Sequence, residues 1–155
     1  MKAQEKIRNA NVLLITIRAL GNEIAKNLVL AGIGSLTIVD SAPITEADFG
    51  AQFFLSSEDT PIGTNRAVAA KDNVQRLNPR VRITVDTEDI RTKSPDFFEP
   101  FNVIIASDLD PTTLTQVNSA ARQYNRPFYV AASHGMYGYL FADLIDHTYV
   151  ITRAK

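Results

Sequence analysis

The sequence predicts an α/β protein: a three-layer sandwich with a mostly parallel central sheet and a terminal antiparallel hairpin. Three observations predict it. Residues 12–15 and 36–39 are short apolar runs, and between them Leu20, Ile24, Leu28 and Ala31 recur at helical spacing. Unbroken apolar runs suit strands buried on both faces, and the helical spacing gives one inward-facing stripe. The alternation then continues, with helical stretches over 64–77 and 111–124 and strand patterns over 81–85, 103–106 and 128–132. Last come 139–145 and 149–151, which read as a closing antiparallel pair.

Residues 3–8 form a short polar helix that leads into the first strand. Gly32 and Gly34 stop the helix that follows it, and Asp40 closes the second strand. Strand, tight turn, helix and strand within about thirty residues make the mononucleotide-binding unit of a Rossmann-like sheet. The segment 41–63 is rich in turn formers, and Thr45 caps one helical turn over 45–48. Thr64 caps the next helix, and Asn78-Pro79 ends it. Residues 81–85 alternate in the manner of a half-buried strand. Asp110 followed by Pro111 is a cap followed by a good first helical residue. Gly135 and Gly138 bracket a turn.

At 155 residues a single domain spanning 1–155 is expected. The net charge of −1 gives no electrostatic grip on nucleic acid or an acidic membrane surface, and neither is expected as a partner. The chain has no cysteine, which removes disulfides, thiolate metal sites and a cysteine nucleophile. No apolar run reaches the length of a membrane span. Two histidines are too few for a histidine-based metal site.

The first strand–helix turn lacks most of a dinucleotide fingerprint. In G-x-G-x-x-G register the positions are Thr16, Arg18 and Gly21, so only the third glycine survives. Gly21 still lets helix approach strand, while the long side chain of Arg18 stands where a phosphate would lie. Asp40 holds the place of a ribose-binding carboxylate, or simply ends a strand. Asp40 and Asp108 both sit at carboxyl ends of strands, where open α/β sheets bind ligands. Such carboxylates can also hold magnesium with the help of phosphate. His134 reads as a loop histidine with a structural hydrogen bond. Phe53, Phe54 and Leu55 lie inside an otherwise polar loop, and either fill this domain's core or cover a partner.

Five stretches carry a resemblance. They are LGNEIAKNLVLAGIGSLTIVD (20–40), AQFF (51–54), IGTNRAVAAKDNVQRLNP (62–79), VDTEDI (85–90) and GMYGYLFADL (135–144). Together they resemble the ThiF-like adenylation fold of the activating enzymes for ubiquitin and its relatives, over nearly the whole chain. The most similar branch is the small, non-cysteine subunit of the SUMO-activating heterodimer in its fungal form, also described as DNA damage tolerance proteins. The resemblance implies a regulatory pseudo-adenylation subunit. Its catalytic partner subunit would bind ATP and magnesium, adenylate the C-terminus of SUMO and form the thioester. It implies residence in the nucleus and cytoplasm, and a chain that is one piece of a longer subunit. The regulatory subunit for NEDD8 and a stand-alone nucleotide-binding enzyme are the alternatives.

The departures from active relatives define a degenerate site at Thr16, Arg18, Gly21, Asp40, Arg66 and Asp108. Active halves carry a glycine-rich turn where Thr16 and Arg18 stand. They carry Asn-Arg where this chain has Gly50-Ala51, so a phosphate-binding arginine is absent. Arg66 takes the place of a phosphate-contacting lysine, keeping the charge with a different geometry. Asp40 and Asp108 match the ribose and magnesium aspartates, and Leu109 replaces an asparagine. No catalytic residue, bound cofactor or metal ligand is expected of this chain alone. Phe53 and Phe54 are the expected partner contacts, because their loop lies near the dimer interface in that fold.

Overall fold

The computed structural model describes residues 2–58, 60–149 and 151. A helix α1 (Lys2–Arg8) leads into β1 (Asn11–Ile15), α2 (Ala19–Leu30) and β2 (Ser35–Val39). A single turn α3 (Glu46–Phe49) precedes α4 (Arg66–Leu77) and β3 (Arg82–Asp86). Two 3-10 turns, Ile90–Thr92 and Pro95–Phe98, lead to β4 (Val103–Ser107). The chain continues through α5 (Pro111–Gln123), β5 (Phe128–His134) and β6 (Tyr137–Asp143).

The six strands form one sheet in the order β3-β2-β1-β4-β5-β6. All pairings are parallel except β5 with β6. The apolar run of β1 is explained by its place third in the sheet. Val12 and Leu14 pack with Ala25, Val29, Ala67 and Val74 of α2 and α4 on one face. Leu13 and Ile15 pack with Val117, Ala121 and Phe98 on the other. A strand covered on both sides has no polar face to show, so alternation disappears.

Two boundaries differ from the sequence expectation. The cap of α4 is Asn65, not Thr64: its side-chain oxygen accepts from the Val68 amide at 3.1 Å. The closing hairpin forms between β5 and β6, not between 139–145 and 149–151. His134 pairs with Tyr137, leaving the two-residue turn Gly135-Met136. Gly135 adopts φ +61, which a two-residue hairpin turn needs and glycine supplies without strain. Tyr149 and Ile151 lie outside any strand, and Val150 is outside the described residues. β6 is an edge strand, with Tyr137 and Leu140 largely exposed.

Candidate functional site: a strand-end cleft with an internal ion cluster

The carboxyl ends of β1, β2 and β4 open into a cleft of about 560 Å³ lined by Thr16, Arg18, Asp40, Arg66 and Asp108. All but Gly21 of the six predicted degenerate-site residues line it. Gly21 lies behind the turn. A Cβ there would stand 2.3 Å from the Thr16 carbonyl oxygen, so helix α2 reaches the strand only because the position is glycine.

The turn between β1 and α2 keeps a glycine-like backbone without the glycine. Thr16 adopts φ 72, a region that a β-branched residue occupies at a cost. Three bonds hold it there. Its amide donates to the Val39 carbonyl at 2.9 Å, its carbonyl accepts from Ser107 Oγ at 3.1 Å, and the next amide, Ile17, donates to Asp40 Oδ2 at 2.9 Å. Arg18 starts α2 from an ordinary extended conformation, and its exposed side chain stands at the cleft mouth.

Asp40 is the centre of the site, 6% exposed. Arg66, equally buried, grips it with two nitrogens: Nε donates to Oδ2 at 2.9 Å and Nη2 to Oδ1 at 3.1 Å. The Ile17 and Ala42 amides donate to Oδ2 and Oδ1 at 2.9 and 3.0 Å. A carboxylate offers about four acceptor positions, so Asp40 has none left for a ribose hydroxyl. Arg66 Nη1 donates to Asp48 Oδ1 at 3.0 Å, making a buried cluster of one cation and two anions. Arg66 therefore faces inward, and its guanidinium is committed to carboxylates.

Sequence reasoning missed Asp48. The signal was present in the Thr45-x-x-Asp48 spacing of a helix start. Asp48 Oδ2 accepts from the Thr45 amide at 2.9 Å and the Thr45 hydroxyl at 2.8 Å, and Gln52 Nε2 donates to Oδ1 at 3.2 Å. Burial pushes the Asp48 carboxyl upward, but the Thr45 bonds and the Arg66 charge outweigh it and hold it below the ordinary value.

Asp108 is in a different situation. It sits after β4 at φ 54 and is half-buried. No salt bridge among the described residues reaches it. It also lines a neighbouring cleft of about 420 Å³ together with His134, which ends β5 and is exposed. Among the described residues no group of three His, Cys, Asp or Glu side chains is placed to hold a metal ion.

The aromatic pair divides. Phe54 is 3% exposed and packs in the α2–α4 core with Leu55, and the Asn73 side chain of α4 donates to its carbonyl at 2.8 Å. This corrects the expectation of Phe54 as a partner contact, because a side chain in the core has no surface to offer. Phe53 is 51% exposed, with Lys26 Nζ lying 5.4 Å from its ring centre.

Residues 1–149 match the model of the ThiF family. The chain belongs to the ThiF family. Among its ThiF relatives is the DNA damage tolerance protein RHC31 of Saccharomyces cerevisiae, 42% identical over 146 residues, covering 94% of this chain and 42% of the relative. The DNA damage tolerance protein rad31 of Schizosaccharomyces pombe is 41% identical over 151 residues, covering 97% and 48%. The SUMO-activating enzyme subunit 1 of Homo sapiens is 37% identical over all 155 residues, which is 44% of its length. The chain thus spans less than half the length of these ThiF relatives.

Proposed function

We propose that this chain is the pseudo-adenylation part of the regulatory subunit of a SUMO-activating enzyme. It pairs with a catalytic subunit that supplies ATP, magnesium and the cysteine, adenylates the SUMO C-terminus and forms the thioester. The single observation that carries the silent half of this reading is the saturation of Asp40 by Arg66 and two backbone amides. A nucleotide arriving at the cleft meets a carboxylate with no free acceptor and a guanidinium already bonded to two carboxylates. The name of the human relative, SUMO-activating enzyme subunit 1, favours SUMO over NEDD8.

Phe53 is the proposed partner contact. A half-exposed phenylalanine on a polar loop buries large area with few torsions to freeze, which suits an interface centre.

Two measurements test the reading. Calorimetric titration of the chain with magnesium-ATP is expected to show no saturable binding at millimolar concentration. Co-expression of the longer subunit with a SUMO-type catalytic subunit is expected to give a stable pair with SUMO-dependent ATP–pyrophosphate exchange. Failure to pair, with pairing to a NEDD8-type catalytic subunit instead, reassigns the modifier.

A further inference from the structure

Arg66 touches two carboxylates that belong to different parts of the molecule. Asp40 closes β2 and borders the cleft. Asp48 lies in the single turn α3, whose C-terminal side leads directly to Gln52, Phe53 and Phe54. The same guanidinium bonds both, with two nitrogens on the first and one on the second. Further bonds fasten the 41–65 segment at the same place. The Asn65 side chain donates to the Asp40 carbonyl at 2.7 Å, the Arg66 amide to the Ala42 carbonyl at 3.0 Å, and the Ile44 amide to the Thr64 carbonyl at 2.8 Å.

We propose that Arg66 is an internal occupant of the ribose end of the cleft: a lock that excludes nucleosides by consuming Asp40 and fixes the loop bearing Phe53 by holding Asp48. The cleft has been converted from a ligand site into a clamp for a surface segment. Burial gives the lock its strength. An exposed Arg–Asp pair is loosened by water and salt, whereas this cluster is buried on all three members. Geometry makes it specific to arginine. The planar fork bonds one carboxylate with two parallel N–H groups and still presents a third nitrogen sideways, which a lysine ammonium cannot do at both distances.

The lock deepens the silent-subunit reading but is measured separately from it. Adenosine serves as probe because it tests the ribose and base end without the phosphate donors. The free chain and its Arg66→Ala, Arg66→Lys, Asp48→Asn and Arg66→Ala/Asp40→Asn variants are compared by ligand-observed NMR. Amide hydrogen exchange is followed over 44–54 and, as reference, over β1. Arg66→Ala is expected to bind adenosine at least tenfold more tightly than the unaltered chain, and the added Asp40→Asn change is expected to remove that gain. Asp48→Asn is expected to gain no adenosine binding. Exchange over 44–54 is expected to rise at least tenfold in both Arg66→Lys and Asp48→Asn, with β1 unchanged. Arg66→Lys stands in for the binding measurement if Arg66→Ala does not fold. Folded Arg66 variants that bind adenosine no better than the unaltered chain overturn the exclusion. Unchanged exchange over 44–54 in both Arg66→Lys and Asp48→Asn overturns the clamp. Saturable magnesium-ATP binding by the unaltered chain sinks the silent-subunit reading, while the ratio between variant and unaltered chain still decides the lock.

Discussion

Asp40 follows β2 and Asp108 follows β4, both at the carboxyl edge of the sheet, and β1 alone separates their strands. Asp40 is buried beneath a guanidinium that arrives from α4, 26 residues later in the chain. Asp108 lines two clefts in a left-handed backbone position, and no cation among the described residues pairs with it. A strand-end aspartate is therefore not a ligand site in itself. What it becomes depends on which later helix is threaded past it and what that helix carries in its first turn. On the β2 side α4 begins with Arg66. On the β4 side α5 begins with Pro111, and its cap Asp110 adds another negative charge.

The sharpest break between the two sides is Arg66→Ala against Asp108→Ala. Removing Arg66 leaves Asp40 and Asp48 buried without their cation, which costs about 3–5 kcal/mol. Removing the Asp108 carboxylate orphans no partner and costs about 1 kcal/mol, because alanine tolerates the left-handed position less well than aspartate. Urea unfolding of both variants measures the contrast, and equal losses would erase it.

The neighbouring phenylalanines repeat the contrast one segment further along. Phe54→Ala empties a core position and costs about 3–5 kcal/mol. Phe53→Ala loses a partly exposed ring and a cation–π contact worth about 1 kcal/mol or less. Thermal unfolding separates them. Affinity for the proposed catalytic partner should move only with Phe53 once the stability loss of Phe54→Ala is allowed for.

Smaller effects sharpen the account of the turn between β1 and α2. Gly21→Ala drives a methyl into the Thr16 carbonyl and costs about 1–3 kcal/mol, because the bonds from Thr16 to Val39 and Ser107 resist the shift. Thr16→Gly has the opposite sign. It relieves a left-handed conformation worth about 1–2 kcal/mol and gives back about 0.5–1 kcal/mol in backbone entropy, for a small net gain. A raised melting temperature for Thr16→Gly confirms that the residue is strained.

The smallest and broadest effect is on acid stability. The Asp48 carboxyl lies lower in the folded chain than in the unfolded one. Its contribution is complete above the unfolded value of about 3.9 and disappears as pH falls through the folded value. Stability should therefore fall below about pH 4, and Asp48→Asn should flatten the slope there. Denaturant midpoints between pH 2.5 and 6 give that slope.

Apolar runs, helical spacing and capping pairs are local, so the sequence alone determined the strand–helix order and the burial of β1 on both faces. The same holds for Asp110-Pro111 at the start of α5 and for the need for glycine at position 21. The loss of the first two fingerprint glycines was equally visible in Thr16 and Arg18. Three things depended on tertiary structure. Arg66 read as a phosphate-facing cation, since nothing in 62–79 announces that its fork meets Asp40 and Asp48. Phe53 and Phe54 read as one pair, since adjacent residues in an irregular loop follow no period that assigns them to faces. The hairpin read one strand too late, since the apolar content of 139–145 fits either partner and the Gly135-Met136 turn decides between them. A hydrogen bond or a buried face is made between segments far apart in sequence, and only the packed chain settles which side chains meet.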